Sequence, residues 1–153
     1  MQCFNNLPAP DPSVITGETD NCGLPTVTYE GDIFLGGGGC PGDPLIVSRK
    51  YRVTDSQGNG INLTQRIEVA DSQPPVFTQV PANITVNCIS IPPVGPVQIT
   101  DNCSLSPTVV YQGQTRTNGP CPDTYILKRT WLAQDECGNT SVAVQNISVV
   151  DNT

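Results

Sequence analysis

An all-β fold of short strands and tight turns is what the sequence predicts, on three observations. The helix builders Leu, Ala, Glu and Lys are scarce, while Thr, Val, Asn and Gln are plentiful. The 153 residues include 14 Gly and 15 Pro, with 37% hydrophobic and only 14% charged residues, a mixture that suits strands joined by turns. Apolar and polar residues also alternate with period two. Leu45, Val47, Arg49, Tyr51 and Val53 share one parity, and Ile46, Ser48, Lys50 and Arg52 the other.

An internal repeat frames these stretches. Asp20-Asn21-Cys22 matches Asp101-Asn102-Cys103, and Pro25 to Tyr29 matches Pro107 to Tyr111. Cys40-Pro41 matches Cys121-Pro122, Asp55-x-x-Gly58-Asn59 matches Asp135-x-x-Gly138-Asn139, and Val69-Ala70-Asp71 matches Val149-Val150-Asp151. Cys3 matches Cys88, each followed by a Pro-rich turn. The repeat predicts two modules, 1–73 and 74–153. The second opens at Pro74-Pro75-Val76-Phe77 and reaches Cys88 through Ile84-Thr85-Val86-Asn87, whereas only Met1-Gln2 precede Cys3. The first module is therefore expected to lack its N-terminal strand. Either the chain is a window cut from a longer tandem array, or a neighbouring molecule supplies the strand.

Strands are expected near 13–18, 26–31, 44–55 and 60–70 in the first module. In the second they are expected near 83–88, 96–101, 108–113, 124–135 and 140–150. The long strand and its successor form an antiparallel hairpin around Asp-x-x-Gly-Asn, with Gly58 or Gly138 free to take positive φ. Several strands per module point to two small immunoglobulin-like β-sandwiches, whose limited cores call for covalent staples.

Composition excludes several functions. Seven Lys and Arg against fourteen Asp and Glu, a net charge of −7, leave no phosphate-binding face for nucleic acid. No apolar run approaches the ~20 residues that span a bilayer, and no signal peptide is visible at the N-terminus. With no His and no Cys-x₂-Cys, the clustered ligands of a zinc site are missing, and without His there is no His-based catalytic constellation. Gly36 to Gly39 precede no Lys-Ser/Thr and read as a loop, not a phosphate cradle.

Seven cysteines and one Met point to an oxidising compartment. Sandwich topology allows Cys88–Cys121 at one end of the second module and Cys103–Cys137 at the other. Gln57 stands where the first module would have the partner of Cys22, so this scheme gives Cys3–Cys40 and leaves Cys22 as a free or intermolecular thiol. A rival scheme pairs Cys22–Cys40, Cys103–Cys121 and Cys88–Cys137 and leaves Cys3 unpaired. Both stay open on sequence grounds.

Val86-Asn87-Cys88, Thr100-Asp101-Asn102-Cys103, Cys121-Pro122 and the run from Lys128 to Asn139 resemble hyalin-repeat-like modules, which stand in tandem in large secreted and cell-surface adhesins of Bacteroidota. The first copy matches from Cys3 to Pro75 but departs at Gln57, where that pattern has Cys. The resemblance implies an immunoglobulin-like sandwich, a surface location, structural or adhesive work and no enzymatic activity.

Carboxylates mark the remaining candidate sites. Asp71 and Asp151 fall at module junctions, and Asp101 and Asp135 at loops expected to cluster, where Ca²⁺ could find oxygen ligands. The competing reading is that Asp and Asn simply make turns. Arg49 and Arg129 share parity with the core residues Tyr51 and Trp131, and a buried guanidinium needs a carboxylate or several carbonyls. Tyr125 and Phe34 are the best exposed aromatics for a sugar. Asn62, Asn83, Asn139 and Asn146 head sequons, which would be glycan acceptors in a eukaryotic secretory context and a reflection of Asn- and Thr-rich composition in a bacterial one, the reading favoured here. The expected function is that of an extracellular spacer or filament module whose partners are neighbouring modules or identical subunits. Two alternatives are a glycan- or protein-binding module using the loops around Asp101 and Asp135, and a filament subunit completed by strand donation.

Overall fold

The computed structural model describes residues 3–21, 23–120 and 123–150. The chain is all-β, with several sheets and disulfides consistent with an immunoglobulin-like sandwich. It divides into two compact units, Met1–Ser72 and Gln73–Thr153.

Unit 1 holds two single-turn 3-10 helices, Phe4–Asn6 and Pro12–Val14, and three strands: β1 (Thr26–Gly36), β2 (Leu45–Thr54) and β3 (Gly60–Val69). They form one antiparallel sheet in the order β1-β2-β3. The alternation along β2 sends one face inward: Val47 and Tyr51 are fully buried, and Val53 and Arg49 are buried beside them. Gly36 to Gly39 form a turn tied by Asp43, whose Oδ2 accepts from the Gly38 N–H at 2.7 Å and whose carbonyl accepts from the Gly39 N–H at 2.9 Å. A Cβ on Gly37 would overlap the Pro44 carbonyl.

Unit 2 holds β4 (Val76–Gln79), β5 (Ile84–Asn87), β6 (Gln98–Thr100), β7 (Thr108–Asn118), β8 (Tyr125–Gln134) and β9 (Thr140–Val150). Its main sheet runs β5-β9-β8-β7, with β5 parallel to β9, and a second sheet pairs β4 with β6 antiparallel. Leu127, Ile147 and Val149 form the core cluster, joined by Ile84, Val86 and Tyr125, and Trp131, Ala133 and Ala143 are buried further along β8 and β9.

Strands β1-β2-β3 and β7-β8-β9 correspond pair by pair. Both outer strands run five residues beyond their expected ends at 31 and 113. The register shifts between Tyr29 and Gly31 and again between Tyr111 and Gly113. Gly31 (φ 135°) and Gly113 (φ 109°) each absorb a β-bulge, so the strand bends and continues where a sequence reading stops at the glycine. Two more differences concern partners. The segment 13–18, expected as a strand, is not one: it aligns with β6, and β6 is a strand because β4 pairs with it. No counterpart of β4 occurs among the described residues of unit 1. Strand β4 itself is only four residues long and follows two prolines, too little for a pattern to register.

Gly31→Ala and Gly113→Ala should each cost roughly 1–3 kcal/mol, because an L side chain is strained at these φ values. Equilibrium denaturation of the single and double variants checks this, with near-additive losses expected from bulges in separate units.

Candidate functional site: hairpin turns, buried arginines and cysteines

The hairpin turns that define the repeat are built by one carboxylate each. Asp55 Oδ1 accepts from the Gln57 and Asn59 backbone N–H groups at 2.8 Å, and its Oδ2 accepts from the Asn59 side-chain amide at 2.8 Å. Asp135 repeats this with Asn139, at 2.8 Å to the backbone N–H and 2.8 Å to the side-chain amide. Gly58 (φ 87°) and Gly138 (φ 82°) sit in the left-handed region as expected. The Asn59 amide, together with the turn's backbone N–H groups, holds the Asp55 carboxyl below its ordinary range. Asp101 Oδ1 likewise accepts from the backbone N–H groups of Cys103 (2.8 Å) and Ser104 (2.7 Å).

Three of the four candidate calcium ligands can thus be placed. Asp101 and Asp135 are engaged in their own turns. Asp71 is buried, and its backbone N–H donates to the Gly39 carbonyl at 2.7 Å. Asp151 lies outside the described residues. Asp101 Oδ2 is buried and accepts nothing among the described residues, but Ca²⁺ takes 6–8 oxygens. The geometry favours turn construction for Asp101 and Asp135.

The buried arginines are the centre of each sheet. Arg49 and Arg129 are both 3% exposed. Sequence reasoning required a carboxylate or several carbonyls, and the two units supply one solution each. In unit 1, Asp32 stands opposite Arg49 across β1 and β2 and accepts from Nε and Nη2, both at 2.9 Å, as a bidentate pair. In unit 2 the same register position is Gln114, whose Oε1 accepts from Arg129 Nε at 2.9 Å. The other guanidinium nitrogens donate to the carbonyls of Pro93 (2.9 Å) and Pro92 (2.6 Å) and to Gln145 Oε1 (3.4 Å). Sequence reasoning missed Asp32. Its signal was there: Asp32 lies three residues after Tyr29, as Gln114 does after Tyr111. The Arg49 guanidinium beside Asp32 holds that carboxyl below its ordinary value, and Asp32 in turn raises Arg49.

Among the cysteines, Cys3, Cys40, Cys103 and Cys137 are disulfide-bonded, two in each unit. Cys3 is disulfide-bonded and Cys88 is not, against the rival scheme that leaves Cys3 unpaired and bonds Cys88 to Cys137. Cys88, expected in a bond with Cys121, is instead an exposed free thiol. It follows β5 in a turn closed by the Ser90 N–H on the Asn87 carbonyl, and its Sγ lies 3.2 Å from Asn87 Oδ1. That turn leaves the thiol in solvent. Cys22, the expected free thiol, and Cys121 lie outside the described residues. Of the aromatic candidates, Tyr125 stacks under the Arg116 guanidinium at 3.7 Å, and Phe34 packs edge-on against Phe4 at 5.5 Å, both phenylalanines being exposed.

No protein-family model matches the chain, and comparison with curated proteins finds no match.

Asp32→Ala leaves Arg49 uncompensated and should cost unit 1 roughly 2–4 kcal/mol, whereas Gln114→Ala leaves Arg129 its prolyl carbonyls and should cost about 1 kcal/mol. Because the folded pKa of Asp32 is depressed, the pair's stabilisation is complete above the unfolded Asp value of ~3.9 and is lost as pH falls through the folded value. Hydrogen exchange on acidification should show β1–β3 opening before β7–β9; simultaneous opening counts against the asymmetry. A thiol-directed alkylating reagent applied to the native chain should label Cys88 and spare Cys3, Cys40, Cys103 and Cys137 until reductant is added, as read by peptide mapping.

Proposed function

We propose that this chain is a non-catalytic structural or adhesive module of the hyalin-repeat-like kind, working outside the cell as spacer or filament material in an array. The observation that carries the reading is where the reactive side chains are used. Asp55, Asp101 and Asp135 build turns, Asp32 holds an arginine, and the arginines hold sheets together. Disulfides in both units suit an oxidising, extracellular setting, and no helix among the described residues is long and apolar enough to cross a membrane. Partners on this reading are neighbouring modules or identical subunits. A binding role for the loops around Asp101 and Asp135 has less support, since the Asp135 carboxylate and Asp101 Oδ1 are already engaged within those loops.

The function would be mechanical. In unit 2, β5 lies parallel to β9, so pulling those strands in opposite directions loads their hydrogen bonds together. Stretching the chain between surface-attached handles should give discrete unfolding events whose extension grows on addition of reductant, as disulfide-closed loops are released. Extension with no resolvable event in oxidising buffer would sink the load-bearing role.

A further inference from the structure

The inner face of β3 is open where that of β9 is covered. Ile61, Leu63, Gln65 and Ile67 stand opposite Val53, Tyr51, Arg49 and Val47. In unit 2, Ser141, Ala143, Gln145 and Ile147 stand opposite Ala133, Trp131, Arg129 and Leu127. Ile147 is fully buried and Ala143 is 9% exposed, but Ile61 is 62% exposed, and Leu63 and Ile67 are half-buried.

One chain segment makes the difference. In unit 2, residues 75–87 cross this face. The Pro75 carbonyl accepts from the Ser141 hydroxyl, the Ala82 carbonyl from the Gln145 amide (2.8 Å) and Asn83 Oδ1 from the Asn146 backbone N–H (2.7 Å). The first half, β4, pairs antiparallel with β6; the second, β5, pairs parallel with β9, Ile84 opposite Ile147 and Val86 opposite Val149. Unit 1 keeps the β3 docking edge, while the edge that corresponds to β6 is not preformed. β3 ends its sheet, carries no Pro, and pairs with β2 without a bulge, so two of the usual devices for blunting an open edge are missing. The counterpart of β6, residues 17–19, is not a strand: it follows the 3-10 turn Pro12–Val14 and opens on Gly17 (φ 83°). An open cavity of about 270 Å³, lined by Thr19, Pro25, Val53, Asp55 and Ile61, adjoins these edges. Ile61 is the counterpart of Ser141, so this cavity falls at the position that Pro75 fills in unit 2.

We propose that this cleft of unit 1 is a strand-acceptor site. Its occupant is an extended segment from outside these 153 residues that repeats the chemistry of Pro75–Asn87: a proline, a short run like Val-Phe-Thr-Gln, a second proline, and a run like Ile-Thr-Val-Asn in which β-branched residues alternate with Thr or Asn. The first run adds antiparallel to residues 13–18, which must leave the 3-10 turn at Pro12–Val14 and the left-handed conformation at Gly17 to pair with it. The second adds parallel to β3, its Ile84-like residue opposite Ile67 and its Val86-like residue opposite Val69. The proline between them breaks the ladder and lets the segment change sheets, as Pro81 does between β4 and β5. Main-chain hydrogen bonds supply affinity and alternate side chains supply selectivity. Ile61 and Leu63 present more apolar surface than Ser141 and Ala143, which selects an apolar contact over a hydroxyl-bonded one. The proposal rests on the repeat and not on the adhesive role; a chain shown to bear no load would still have this cleft.

The test uses the full chain and a fluorescein-labelled synthetic peptide with the sequence of residues 74–87. Fluorescence anisotropy should show saturable one-to-one binding. Hydrogen exchange should show new protection at residues 13–18 and 61–69, with β9 unchanged. Ile61→Lys, at an exposed position where the fold tolerates it, should weaken binding roughly tenfold or more while leaving exchange in β2 as it was. Three results would overturn the proposal. One is no saturable binding by the unaltered chain. Another is a change confined to β4, β5 and β9, meaning that the peptide exchanges with unit 2's own segment. The third is a peptide-free chain that self-associates through β3 and excludes the peptide, which would make a second copy the occupant.

Discussion

A guanidinium buried in the middle strand of each small sheet constrains everything around it. Taking such a charge from water is tolerable only where every donor finds an acceptor. Each unit therefore places an acceptor directly opposite, at the position just past the bulge glycine: Asp32 for Arg49 and Gln114 for Arg129. The bulge is part of that arrangement, since an unshifted register would send Asp32 and Gln114 to the other face. The aromatic neighbours follow from the same parity. Tyr29 meets Tyr51, and Tyr111 meets Trp131, one step along the sheet from the charge.

The two ways of satisfying the arginine have different consequences for the rest of each unit. Arg129 reaches out of its sheet to Pro92 and Pro93, in the loop between β5 and β6, and so ties the covering strands to the main sheet. Arg49 is satisfied by an ion pair within its own sheet. The matching Pro-rich turn, Leu7 to Pro10, is then not needed to hold the charge, and Pro8 to Pro10 are exposed. A full charge in Asp32 substitutes for several neutral carbonyls, which makes the anchor of unit 1 pH-sensitive and independent of its cover.

Much of this was legible in the sequence because it depends on local pattern. The alternation of β2 and β8, the Asp-x-x-Gly-Asn turns and the parity of Arg49 and Arg129 all lie within one hairpin, where register follows from the turn. What was not legible depends on distant partners. Residues 13–18 have a strand-like composition but no strand to pair with, while β4 has little composition and a good partner in β6. The bulges hid the far halves of β1 and β7, and with them Asp32. Cysteine pairing was only half legible. Strand ends do bring Asn87 and Tyr125 to one end of the sheet, through Val150 and Val149. Yet the turn after Asn87 leaves Cys88 in solvent, a choice of side-chain direction that no spacing encodes.

An acceptor cleft has to stay folded while it is empty, and a three-stranded sheet with one open face is poorly equipped for that by burial alone. Unit 1 has two features that do not need a cover. Its cysteines Cys3 and Cys40 are in disulfides, which restrict the unfolded chain whether or not the face is filled. Its buried arginine is neutralised from β1, not from the covering segment. Both keep Val47, Tyr51 and the β3 edge in the geometry that a strand would meet, so the ordering that remains is on the side of residues 13–18. Unit 2, whose arginine depends on the prolyl loop, could not lose its cover so readily. The same charge, satisfied from within one sheet and from outside it in the other, separates a unit that can wait open from one that must be closed.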